Sequence, residues 1–362
     1  MSARRRPALF SPGQETVLDM FVEALRTRGW HVAETALTLD NSAVDVDLIV
    51  LRAGAGGAPD GETAAALIQA RARGAALLIE AAFDDHPAWA AALGVAVVPL
   101  AQDDAALWRW WRPGRLVEEM VRNTPADTVE TVVIGLNWTL VIAENGAGLA
   151  QTPVKSAPGC RPLSGGGLSG RRLDYLAAWA HAHNPLARAV GVAAINAGLN
   201  HATLAGDDED GLAPTGWGGP GPTVVVGRFP GLDAKLPGAL VLEQAPGPSD
   251  MPAEAAPQVV PACGELMITA STLVSAGLET LLALNESDAP VTLVGPGTPL
   301  SPRLFAHGID RLAGFVVEDP TGAARTVAEA GGAKHLRAHG RVVTLRRTAA
   351  SQTSREKLFG GA

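Results

Sequence analysis

The chain has 362 residues, 47% hydrophobic and 18% charged, with 41 glycines and 26 prolines, a composition that suits a compact, turn-rich α/β protein and excludes a disordered one. Its formal net charge of −8 argues against a broad nucleic-acid interface, because such proteins concentrate Lys and Arg on one face. No apolar run approaches the roughly 20 residues that span a bilayer.

The start Arg4-Arg5-Arg6 is followed by no apolar stretch of the kind a signal peptide carries. The two cysteines, Cys160 and Cys263, make neither a disulfide framework nor a CxxC zinc pair. The expected setting is therefore the cytoplasm.

Residues 7 to 104 alternate short apolar strands (PALF, VDVDLIVL, ALLIEAAF, VAVVPL) with helical patterns near Glu15 to Arg28 and Glu62 to Arg73. Such βα repetition predicts a small parallel sheet with helices on both faces, flavodoxin-like in outline, over residues 1–110. Trp108, Trp110 and Trp111 mark the boundary to a second domain, where large aromatics are expected to pack between domains.

From Thr131 the run TVVIGLNWTLVIAENGAG predicts a β-meander with a turn at Glu144-Asn145-Gly146. A Gly/Pro/Ser-rich loop follows, then a helix from about Leu173 to His183 that stops before Pro185, then the apolar helix LARAVGVAAINAGLN. Residues 111–206 thus predict an α+β domain. The acidic and then Gly/Pro-rich stretch 207–222 reads as a linker.

Beyond it βα alternation returns through TVVVGRFP, ALVLEQAP, ELMITAS, VTLVGPG and GFVVED. This predicts a Rossmann-like domain over 223–347, with 348–362 a polar tail.

Several segments together carry a family resemblance: VVIGLNWT, NPLARAVGVAAINA, GRFP, LEQAP, ITASTLVSAGLETLL and GPGTPLSPRLFAHGIDRLAGFVVEDP. Between about Leu116 and Thr344 the chain resembles the "putative heavy-metal chelation" family of bacterial and archaeal proteins. The resemblance implies an enolase-N-like domain followed by an atypical Rossmann-like domain, and a transition metal or metal-chelating small molecule as the bound species. It leaves residues 1–110 as an added domain.

In a parallel sheet, ligands bind beyond the carboxyl ends of the strands, at the switch point in strand order. Two such ends carry hydroxyls or free backbone N–H groups. Thr269, Ser271 and Thr272 follow ELMI, and Gly295, Gly297 and Thr298 follow VTLV. Both are expected to open helices and to face an anionic or carbonyl-bearing ligand, with simple helix capping as the competing reading.

Glu243 ends ALVLE, where a dinucleotide fold places its ribose-binding acid, but no GxGxxG is present. Phe229 and Pro230 after TVVV would crowd a pyrophosphate, which disfavours NAD and leaves Glu243 for a hydroxyl, an amine or a metal. The near phosphate loop at Gly56 to Thr63 has glutamate where lysine is needed, and Arg52 ends a strand where a receiver domain needs aspartate. Nucleotide hydrolysis and phosphotransfer are therefore disfavoured.

His335 and His339 are four apart but sit beside Gly340, which favours capping over metal binding. Of Asn137, Asn184 and Asn196, Asn137 is the preferred ligand contact.

The leading expectation is a small-ligand-binding protein that holds a metal complex, chelator or cofactor-like molecule between the central and C-terminal domains. The alternatives are an enzyme acting on such a molecule with Glu243 or Asp319 as general base, and an interaction protein docking through its N-terminal domain, as a homo-oligomer or with a protein partner.

Overall fold

The computed structural model describes residues 16–347, apart from 28, 36–45, 53–58, 82–88, 91–95, 100–103, 112–113, 155–162, 164–166 and 288. The PALF segment, residues 56–58, Cys160 and the tail lie outside the described residues. The chain divides into two compact units, Met1–Trp111 and Arg112–Ala362. No helix among the described residues is long and apolar enough to cross a membrane.

In the first unit, four parallel strands pair in sequence order: β1 (Val32–Thr35), β2 (Leu48–Leu51), β3 (Ala76–Ala81) and β4 (Ala96–Pro99). Side chains on a strand alternate between faces. Leu48 and Val50 therefore join one cluster, with helix α1 (Val17–Thr27), while Ile49 and Leu51 join the other, with helix α2 (Gly61–Ala72).

Asp60 caps α2 by accepting a hydrogen bond from the Thr63 amide at 2.8 Å. The end of the supposed phosphate loop is thus an ordinary helix start. Helix α3 (Asp104–Trp111) corrects the reading of the tryptophans. Trp108 stacks edge-on against Phe21 at 4.8 Å, and Trp111 against Trp30 at 5.2 Å. They complete the core of their own unit.

The second unit begins with helix α4 (Leu116–Arg122) and the antiparallel meander β5 (Val129–Ile134), β6 (Trp138–Ala143) and β7 (Gly146–Gln151). A short helix α5 (Leu173–Ala177) runs into a 3-10 turn, and α6 (Pro185–Leu199) follows. Asn184 starts α6 by accepting from the Leu186 amide at 2.9 Å, with Pro185 in the first turn.

Almost every side chain of α6 is buried. It lies directly on β7 because Gly148 has no side chain: a Cβ there would stand 2.1 Å from the Ala197 amide nitrogen.

The larger sheet has seven strands in the order β10-β9-β8-β11-β12-β13-β14. They are β8 (Thr223–Val226), β9 (Leu240–Glu243), β10 (Met251–Pro252), β11 (Glu265–Thr269), β12 (Val291–Val294), β13 (Arg311–Val317) and β14 (Gly340–Arg346). All neighbours are parallel except β13 and β14. From β8 the chain steps outward to β9 and β10, then returns to the other side of β8 for β11, β12 and β13. The switch point therefore falls between β8 and β11.

Residues 207–222 are not a free tether. Asp207 bridges Thr344, buried Arg311 donates to the carbonyls of Gly211 and Ala213, and Glu265 accepts from the Thr215 amide at 2.8 Å. The stretch is strapped to the sheet by groups that its composition does not reveal.

Candidate functional site

At the switch point the turns after three strands touch. Gly227, at φ 92°, follows β8, and a Cβ there would meet the Thr269 side chain at 2.6 Å, in a backbone conformation that favours glycine. Gly295, at φ 131°, follows β12. Cβ atoms on Gly295 and Gly297 would each reach the Ala270 methyl, at 3.7 and 3.9 Å. Thr269, Ser271, Thr272, Gly295, Gly297 and Thr298 are thereby brought into one neighbourhood.

The two turns differ from one another. After β11, helix α7 (Ser271–Ser275) begins at once. Ser271 directs its amide and hydroxyl to Thr269 Oγ1 at 3.4 and 3.2 Å, and Thr272 Oγ1 donates to the Thr269 carbonyl at 2.7 Å. These hydroxyls shape the turn. In this arrangement Thr269 Oγ1 stands as acceptor toward both the amide and the hydroxyl of Ser271.

After β12 the expected helix start is absent: Gly295 to Gly297 form a turn, residues 298–301 run irregularly, and a 3-10 helix begins only at Pro302. Two prolines, Pro299 and Pro302, oppose continuous helix here. Instead, the segment is gripped from α6. Asn196 Nδ2 donates to the Leu149 and Gly297 carbonyls at 2.8 and 2.9 Å. One helical turn on, Asn200 donates to the Thr298 carbonyl at 3.0 Å and accepts from the Leu300 amide at 2.8 Å.

Meander, helix and sheet therefore meet at this one segment. Asn196 and Thr298 are fully buried, yet Asn196 Oδ1 and Thr298 Oγ1 find no hydrogen-bond partner among the described residues. A buried polar atom left so costs about 1–3 kcal/mol.

Other expected site residues lie elsewhere or are already engaged. Glu243 accepts from the amides of Arg228 and Gln244, both at 2.9 Å, and so fixes the β8 turn. Arg228 is taken up by Asp250 and Asp233. Phe229 packs with the cluster of Leu212, Val225 and Leu232.

Asn137 is exposed and donates to the Ala330 carbonyl at 2.7 Å, stapling the β5–β6 loop beyond helix α8 (Pro320–Ala328). The buried amides are instead Asn196 and Asn200. Asn200 was missed in the sequence, although two asparagines four apart in an apolar helix place two amides on one face.

Asp319 caps α8 through the Gly322 amide and meets His339 Nδ1 at 2.9 Å. The Gly322 N–H, and then His339, hold its carboxyl below the usual range, which makes it a weak base at neutral pH. His335 accepts from the Gly332 amide through Nδ1 at 3.0 Å. That ring nitrogen caps the start of the short helix Ala333–Leu336, the opposite end from the C-terminal capping expected beside Gly340.

A cavity of about 330 Å³ opens at the opposite, amino-terminal edge of the sheet, lined by Trp217, Pro220, Cys263, Ser287 and Pro290 among others. Burial pushes the Cys263 thiol up, so it is a poor metal ligand. Among the described residues that line the cavity, the Cys263 thiol is the one ionisable side chain. Among the described residues no group of three or more His, Cys, Asp or Glu side chains is placed to hold a metal ion. A bare ion coordinated by these side chains alone does not fit.

Two family profiles match, both described as "Putative heavy-metal chelation", one over residues 117–199 and the other over 218–346. No curated protein matches. Among solved structures, a protein of unknown function from the DUF364 family of Desulfitobacterium hafniense is 31% identical, with a TM-score of 0.58. The match covers 64% of this chain and 98% of that one. A second DUF364 protein of unknown function, from Pyrococcus horikoshii, is 17% identical with a TM-score of 0.57 over the same shares, a likeness of fold. With its α/β fold, its two matching regions in order and this identity to a relative matched almost end to end, the chain belongs to the DUF364 family of "putative heavy-metal chelation" proteins.

Proposed function

We propose that residues 112–362 bind a small organic molecule, a chelator or its metal complex, at the carboxyl ends of β8, β11 and β12, where the meander and α6 close over the sheet. The family description suggests metal or small-ligand binding. The observation that carries the reading is the contiguity of Gly227, Thr269, Ala270 and Gly295 at the switch point, the place where open α/β sheets take ligands. Glycine backbone there lets a ligand approach closely, and the Thr269 hydroxyl offers it a proton. Because the described side chains lack a coordinating cluster, a metal would arrive with most of its donors supplied by its own chelator.

The test is native mass spectrometry of protein purified from its host. The spectrum should show a small organic mass, with or without a metal, on the 37.2 kDa chain, lost in the double variant Thr269→Val with Ser271→Ala. Host-purified protein that carries neither a small molecule nor a metal would remove this reading.

A further inference from the structure

Two buried oxygens at the same junction constrain what it binds, and this inference rests on the proposed ligand site. Asn196 spends both amide protons on the carbonyls of Leu149 and Gly297. Those bonds fix the orientation of the amide, because a flipped group would set oxygen against two carbonyl oxygens. Its Oδ1 is therefore an acceptor and nothing else. One residue beyond Gly297, the Thr298 hydroxyl is also buried and, among the described residues, without a partner, while its backbone carbonyl is held by Asn200.

Threonine is a costly choice at a buried position where its hydroxyl makes no bond. Valine has nearly the same shape and would avoid the penalty. Residues that lower stability in this way are expected where function requires them. Two buried oxygens at one segment, one an obligate acceptor, call for a partner that donates hydrogen. A carboxylate or phosphate placed against Asn196 Oδ1 would set oxygen against oxygen with no proton between them.

We propose that the junction recognises a neutral N–H or O–H donor group, such as a primary or secondary amide, received by Asn196 Oδ1 and Thr298 Oγ1. The ligand is then two-ended. An acceptor atom meets the Thr269 hydroxyl, and a donor group meets Asn196. Of the anionic or carbonyl-bearing ligands expected from the turns, this selects the neutral, carbonyl-bearing kind.

The probes are formamide and sodium formate, which match in size and differ in offering an N–H. Each is titrated into the full-length ¹⁵N-labelled protein, following the Asn196 side-chain amide resonance, for the wild type and Thr298→Val. Formamide should give a saturable shift that formate does not. Thr298→Val should weaken formamide by about fivefold, the loss of one ordinary hydrogen bond, while the ligand-free melting temperature stays level or rises.

Equal responses to both probes, no response to formamide, or undiminished formamide affinity in Thr298→Val would overturn the proposal. So would a lowered ligand-free melting temperature in Thr298→Val together with a crystallographic water bridging the two oxygens, which would make the pair a structural water site. The two readings fail separately. A co-purified molecule that turns no N–H or O–H toward Asn196 defeats this inference and leaves the ligand site standing, whereas protein that carries no ligand or metal from its host defeats the ligand site.

Discussion

The turns after β11 and β12 stand side by side at one end of one sheet, and their hydroxyls do opposite things. Thr269, Ser271 and Thr272 bond to one another and to the local backbone as α7 begins. Thr298 is fully buried, its carbonyl held by Asn200 and its hydroxyl without a partner among the described residues. Similar residues after similar strands thus become a helix start in one case and a three-way junction in the other. What decides is the partner element. The first turn faces its own helix, whereas the second faces α6, whose two asparagines replace the missing helical hydrogen bonds.

The largest effect expected from breaking this contrast belongs to Asn196→Leu. The change removes two buried hydrogen bonds and strands the carbonyls of Leu149 and Gly297, which should cost about 3–5 kcal/mol in urea denaturation. A loss below about 1 kcal/mol would show that the asparagine does not organise the junction.

Ser271→Ala should be milder, about 0.5–1 kcal/mol, since one partly buried local bond is lost. Its clearer consequence should be reduced retention of the co-purified molecule in native mass spectrometry. A cost as large as that of Asn196→Leu would erase the difference drawn between the two turns.

The smallest effect lies away from both turns. Glu118 accepts from Arg122 at 2.8 Å and meets His181 Nε2 at 3.1 Å. The bond from His181, helped by Arg122, brings the Glu118 carboxyl down to about 2, and the bond to Glu118 raises His181 above its usual value. A depressed acid stabilises the fold above its unfolded pKa of 4.5 and loses that contribution as pH falls toward about 2. A raised histidine contributes fully below 6.5 and loses its share as pH climbs through the higher folded value.

The pair should therefore be strongest between about pH 4.5 and 6.5. With side chains 31% and 46% exposed, Glu118→Gln should cost only about 0.5 kcal/mol there. Melting curves across pH check this, and a variant whose deficit is the same at pH 5.5 and pH 9 would exclude the pair as the cause.

Much of the architecture was legible because local pattern and tertiary role agree. The alternation of apolar strands and helices gave the C-terminal sheet, and Glu144 and Asn145 make the turn between β6 and β7, with Gly146 opening β7. The neighbourhood of Thr269, Gly295 and Thr298 was legible too, because strand ends in a parallel sheet share an edge.

What was hidden depends on distant partners. Glu243 looks like a ligand acid until the Arg228 amide is seen to occupy it. The strap at 207–222 reads as linker because Arg311, which holds it, lies about a hundred positions away. Glu119 and His307, both fully buried and 2.6 Å apart, are separated by 188 positions. Asn137 sits in the more conspicuous motif, but Asn196 is the buried amide, and only the packing of α6 on β7 distinguishes them.

The central claim is a ligand site at the strand ends, and the most direct measurement is a crystal structure of the protein as purified from its host. The account predicts density over Gly295 to Gly297, in contact with the Thr269 hydroxyl and reaching toward Asn196 Oδ1. Density confined to the cavity beside Trp217 and Cys263, with nothing at the carboxyl ends of β8, β11 and β12, would contradict it.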